Sequence, residues 1–148
     1  MKDRSTEFDL DRIEAMITPE EREAERWASV PGYKGIYEVS DMGRVRSYWS
    51  RQGSGLIDKP RVLTVRISSN GYCKVRLYRR GVKTTEHWVH RLVMMAFEPQ
   101  MVLGFSNVHH RDRKKTNNRL SNLEWLTQSE NTRHAELTAR QRLEEATA

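Results

Sequence analysis

The sequence predicts an α+β fold: a small antiparallel sheet region followed by a unit of strand, long loop, strand and helix. Three observations carry that prediction. Several segments between residues 27 and 80 alternate with period two, an apolar run over 88–97 has helical spacing, and a polar, histidine-bearing stretch runs from 107 to 134. Period two puts successive side chains on opposite faces of a strand, whereas spacings of three and four share one face of a helix.

Residues 1–26 read as an acidic helical arm, with five basic and nine acidic residues. Thr18 suits an N-cap, Pro19 the first helical position and Glu21 the far side of a capping box, so a short helix is expected over Pro19–Arg26. Its apolar face is small, which fits a solvated arm or a docking segment that covers the basic body. Residues 27–80 form the β-rich region. RVRSY over 44–48, RVLTVR over 61–66 and YCKVRLY over 72–78 alternate, and Asn70-Gly71 is a hairpin turn between the last two. The polar positions carry Arg44, Arg46, Arg61, Arg66, Lys74 and Arg76, so one face should be apolar and the other basic. Residues 50–59, with Gly53 and Gly55, read as a loop. Val89, Leu92, Val93, Ala96 and Phe97 predict a short buried helix that ends before Pro99. Residues 81–137 then make the second unit, and 138–148 a helical or frayed tail.

Composition narrows the partner. Of 148 residues, 36% are hydrophobic and 31% charged, so the core is modest. No stretch approaches the roughly 18 apolar residues of a membrane span, and no membrane is expected as a partner. The first residues lack an apolar signal region, and a single cysteine, Cys73, excludes an internal disulfide and a Cys-x-x-Cys zinc knuckle. A reducing, cytoplasmic setting, in a bacterial or phage-infected cell, is the expectation. The net charge of +6 is uneven: residues 27–148 hold 21 basic and 11 acidic side chains. A basic body of this kind attracts polyanions by counterion release.

All five histidines fall between positions 87 and 134, and His109 and His110 are adjacent. The loop RDRKKTNNRLSN follows, then NLEWLT as a strand over 122–127, then a helix with Ser129 as its expected cap. Neighbours on a strand face opposite ways, so one histidine can bind a metal while the other faces a water. Asn131, in the first turn of the following helix, can return to complete the metal site. Phosphodiester hydrolysis needs both: a cation on the phosphate and leaving oxygen, and a base for water. Neutral imidazole suits the base near pH 7. Leu123 and Trp125 read as core, Asp112 as a turn residue, and His90 as a structural residue or phosphate contact.

The segments VHRLV at 89–93, VHH at 108–110, KTNN at 115–118, SNLEW at 121–125 and SEN at 129–131 resemble the HNH (ββα-metal, His-Me finger) endonucleases of phages and mobile introns. Upstream, WASVPGYKGIYEVSDMGRVRS over 27–47 resembles the nuclease-associated modular domain that precedes this homing type. The resemblance implies a metal-dependent DNA endonuclease. His110 would be the general base, and Asn122 would hold the loop and orient His110. His109 and Asn131 would bind the metal, with His134 as a further ligand or phosphate contact. His109 departs from the aspartate usual in homing-type relatives. An imidazole there shifts preference from Mg²⁺ toward Mn²⁺, Ni²⁺, Co²⁺ or Zn²⁺. Arg44, Arg46, Arg76, Arg91, Arg111, Arg113, Lys114, Lys115 and Arg119 are the expected DNA contacts. Two other readings are an inactive DNA-binding module and an accessory nuclease of phage DNA packaging, with a homodimer or packaging partner.

Overall fold

The computed structural model describes residues 15–52, 54–99 and 105–147. The first fourteen residues of the expected acidic arm lie outside it. The chain continues as helix α1 (Pro19–Ala24), then strands β1 (Trp27–Ser29), β2 (Tyr37–Ser40), β3 (Val45–Trp49), β4 (Leu56–Val62), β5 (Arg66–Ile67), β6 (Cys73–Arg79) and β7 (Val82–Trp88). Helix α2 (Val89–Phe97), β8 (Phe105–His110), a 3₁₀ turn (Leu120–Asn122), β9 (Leu123–Thr127) and α3 (Gln128–Thr147) complete it. The strands form three antiparallel sheets: β1-β2-β3-β4, β5-β6-β7 and the pair β8-β9.

Local chemistry sets these boundaries. Thr18 Oγ1 accepts from the Glu21 backbone N–H and the Glu21 carboxylate accepts from Thr18 N–H, which completes the expected capping box. The helix stops at Ala24, two residues short of the expected end, and Glu25 adopts an extended conformation. Strand β4 begins at Leu56, so four of the ten residues of the expected loop at 50–59 are strand. It lies at the sheet edge, where Pro60 withholds no ladder hydrogen bond the sheet requires. The expected single strand over 61–66 is divided, because the chain leaves one sheet after Val62 and joins the next at Arg66. Between β5 and β6, Gly71 takes φ +89°, the left-handed conformation that the Asn-Gly turn foretold.

Strand β6 buries Cys73, Val75 and Leu77 and turns Lys74, Arg76 and Tyr78 outward, the apolar and basic faces read from its alternation. Helix α2 packs Val89, Leu92, Val93 and Met94 against Val39 and Val45 of the first sheet, Val75 and Leu77 of the second, and Leu123 of β9. Each such aliphatic side chain contributes about 1.5–3 kcal/mol when fully buried. One core therefore runs from the upstream sheets into the β8-β9 pair. The two sheets are also joined where β6 is irregular between Leu77 and Arg79: the Tyr78 N–H donates to the buried Tyr37 hydroxyl at 2.8 Å. Among the described residues, no helix is long and apolar enough to cross a membrane.

Candidate active site

Strand β8 delivers the two adjacent histidines. In its register with β9, His109 lies opposite Glu124 and His110 opposite Leu123. The alternation sends His110 inward, where it is 5% exposed, and His109 to the opposite, half-buried face. The strand ends at His110 because the chain turns sharply. The Arg111 N–H donates to the Asn122 carbonyl at 2.8 Å and the Arg113 N–H to the His110 carbonyl at 2.9 Å. Arg113 takes φ +62°, which costs about 1–2 kcal/mol for a residue with a Cβ and is held by those bonds.

Asn122 closes the long loop. Its Nδ2 donates to Asp112 Oδ1 and to the Asn117 carbonyl, both at 2.9 Å, and its Oδ1 accepts from the Asp112 N–H at 3.1 Å. Asp112 accepts further bonds from Lys114 N–H at 2.8 Å and Asn117 Nδ2 at 2.7 Å. Burial acts to raise its carboxyl, but these hydrogen bonds together hold it below the ordinary aspartate value. Asp112 is the turn residue its position suggested.

His110 stands in a ring-lined niche. Its Nε2 is 2.9 Å from Asn118 Oδ1, and its ring centroid lies 5.1 Å from His90 and 5.9 Å from Tyr72. Burial pushes the His110 imidazole below its ordinary value, and the Asn118 bond and Asp112 charge offset this only in part. The lowered value favours the neutral imidazole near pH 7. His90 is pushed down to about 4, chiefly by burial, and its Nδ1 is buried without a hydrogen-bond partner. It is a structural member of the niche.

On the other side, His109 and His134 stack with centroids 4.9 Å apart and an interplanar angle of 25°. Burial, and then the charge of His134, lowers the His109 imidazole. The helix that carries His134 is capped by Thr127, not by the expected Ser129: Thr127 N–H donates to Glu130 Oε2 at 2.8 Å and Glu130 N–H to Thr127 Oγ1 at 3.2 Å. The Thr-x-x-Glu spacing satisfies both bonds, which Ser129 cannot do from one residue away.

His109, His110, Asn131 and His134 all border one cleft of about 390 Å³, with Tyr72, Arg113, Lys115, Thr138 and Arg142 among its other walls. Among the described residues, no carboxylate lines it. Two imidazoles and an amide offer nitrogen and oxygen donors, a set that fits a borderline divalent ion.

The other expected DNA contacts are placed elsewhere. Arg44 pairs with Glu25 at 2.5 Å and Arg46 with Glu38 at 3.1 Å, both beside the Trp27 ring. Arg76 pairs with Glu86 and borders a second, basic depression with Arg61, Arg66 and Lys74. Arg91 lies over Trp125, and Arg111 is 3.8 Å from Glu124. Arg119 pairs with Glu21 at 2.6 Å, and Lys114 is exposed outside the cleft. Tyr72, Asn118 and Arg142 were given no functional role in the sequence reading. Asn131, Thr138 and Arg142 recur at helical spacing, so Arg142 was recoverable by extending the helix face; Tyr72 needed the tertiary fold.

Comparison with known proteins finds relatives over most of the chain. Residues 25–78 match the NUMOD4 motif and residues 87–133 the model described as HNH endonuclease. The chain is 35% identical over 105 residues to the DNA endonuclease I-HmuI of Bacillus phage SP01, covering 71% of this chain and 54% of that one. It is 30% identical over 120 residues to the uncharacterized HNH endonuclease L247 of Acanthamoeba polyphaga mimivirus, covering 77% of this chain and 27% of that one. The chain thus spans about half the length of the first relative. A solved structure described as DNA binding and cleavage by the HNH homing endonuclease I-HmuI superimposes with a TM-score of 0.63 at 32% identity, over 77% of this chain and 59% of that chain.

Proposed function

The chain belongs to the HNH endonuclease family through residues 87–133, behind a NUMOD4 motif, and from that premise we propose that it cleaves DNA with a divalent metal and His110 as general base. The observation that carries the proposal is the cleft that brings a buried, neutral His110 to the same space as His109, Asn131 and His134.

His110 takes a proton from water as the water oxygen attacks phosphorus, the bond to the 3′ oxygen breaks, and that oxygen takes a proton from a solvent water, leaving 5′-phosphate and 3′-hydroxyl ends. His109 and Asn131, with His134 beside them, would hold a divalent ion, which would supply positive charge toward the scissile phosphate. With no carboxylate among the described residues of the cleft, these side chains would bind such an ion weakly until the DNA phosphate adds its charge. Arg113, Lys115 and Arg142 hold the flanking phosphates. Asn122 keeps the loop after His110 closed, which fixes where the ring stands.

Plasmid relaxation in Mg²⁺, Mn²⁺, Ni²⁺, Co²⁺ or Zn²⁺, with EDTA and His110→Ala controls, tests the proposal. Metal-dependent nicking that His110→Ala abolishes is the expected result. Intact plasmid in every metal, with a salt-sensitive gel shift retained, means a DNA-binding module without nuclease activity.

A further inference from the structure

We infer that Asn118 is a positioning residue that selects Nδ1 of His110 as the basic nitrogen, and that the upstream turn at Gly43 holds Asn118 in place. The inference rests on His110 being the base.

Asn118 is 4% exposed and its Oδ1 lies 2.9 Å from His110 Nε2. An amide oxygen only accepts, so Nε2 must carry the proton, and the neutral ring then has its lone pair on Nδ1. The opposite amide orientation would occupy the Nε2 lone pair and place the proton on Nδ1. One buried amide thus decides which nitrogen can receive a proton from water. A tautomer without such a partner would be free to exchange.

The support for Asn118 comes from the region that matches the NUMOD4 motif. Gly43 takes φ +83°, and a Cβ built on it would lie 2.7 Å from Asn118 Cβ and 3.0 Å from the Asn118 carbonyl oxygen. Backbone conformation and space both require glycine. The turn is bonded to the same loop: Leu120 N–H donates to the Asp41 carbonyl at 2.8 Å. Asp41 is itself held by the Arg26 backbone N–H at 3.0 Å and the Arg26 side chain at 3.2 Å. Residues 26, 41 and 43 therefore back the loop that fixes the ring. The upstream region completes the nuclease niche in addition to any contact it makes with DNA.

Long-range ¹⁵N NMR of the histidine rings in the full chain, combined with plasmid nicking kinetics, tests the inference. The unsubstituted chain is expected to show His110 in the Nε2–H form. Asn118→Ala should mix the two tautomers and lower kcat by about 10²-fold with KM unchanged, the scale of a small misplacement of a reacting group. Asn118→Asp keeps the acceptor and should restore the tautomer and most of the rate. Gly43→Ala should reproduce the Asn118→Ala pattern through the contact alone. An Nδ1–H ring in the unsubstituted chain overturns the inference, and that reading needs no variant to fold. Asn118→Ala with native tautomer and native rate overturns it too. Full activity in His110→Ala defeats the base assignment instead, whereas an Nδ1–H ring with an inactive His110→Ala defeats only the role of Asn118.

Discussion

Replacing Asn122 by alanine removes three hydrogen bonds from the loop that follows the base. Two involve backbone groups, of Asn117 and Asp112, and one reaches the Asp112 carboxylate. At about 1 kcal/mol for each neutral bond and about 1.5 kcal/mol for the charged one, the gross loss is roughly 3.5 kcal/mol. Asn122 is half-buried, so water recovers part of this and the net cost is about 2–3 kcal/mol. For a chain of this size each kcal/mol shifts Tm by roughly 2–4 °C, so Tm should fall by roughly 5–10 °C. Activity should fall further than stability at a temperature where the variant stays folded, because the Arg113 turn and the His110 carbonyl lose their anchor. Differential scanning calorimetry gives the first quantity, and nicking at 25 °C on protein verified as folded gives the second. An unchanged Tm would refute the energetic argument. A lowered Tm with a native nicking rate would refute the claim that Asn122 positions His110.

His90 should make stability depend on pH. Its folded value of about 4 lies below the ordinary 6.5, so the unfolded chain takes the proton first. Stability is then lost as pH falls through 6.5 and levels off near 4, by about 3 kcal/mol in total. Urea titrations between pH 7.5 and 4.5 should show that slope, and His90→Phe should reduce it, leaving the part that the lowered His109 and His110 contribute. His109→Asp should move metal preference from Mn²⁺ toward Mg²⁺, changing the ratio of nicking rates by roughly tenfold; an unchanged ranking would remove His109 from the metal site. Arg113→Ala and Arg142→Ala should each reduce the salt dependence of DNA binding by about 0.9 in log–log slope, measured by fluorescence anisotropy. Arg44→Ala and Arg46→Ala should leave that slope unchanged, since both side chains are held by carboxylates.

Much of the fold was legible because local chemistry agreed with tertiary structure. The Thr18 capping box, the Asn70-Gly71 turn, the alternation of β6 and the apolar face of α2 each need only neighbouring residues to be satisfied. Strand β7 went unread although Arg80-Gly81 is a turn signal, because its side chains are mostly exposed and carry no apolar alternation. The division of the expected 61–66 strand between two sheets also has no local signal. At the site, His109, His110, Asn131 and His134 border one cleft, although alternation turns the two adjacent histidines to opposite faces of the strand. The basic residues were the least legible. A positive charge in a sequence does not reveal its partner, and Arg44, Arg46 and Arg119 find theirs in Glu25, Glu38 and Glu21. Asn118 was visible as part of a motif, but its contact with His110 spans eight residues and is made only when the loop closes.

The most direct test is single-turnover cleavage of a DNA duplex by the native chain and His110→Ala in the same metal, with affinity measured on the same duplex. A general base contributes about 10²–10⁴-fold, so the rate in His110→Ala should fall by that factor while binding is unchanged. A native rate in His110→Ala, or a loss that follows weakened binding alone, would contradict the account.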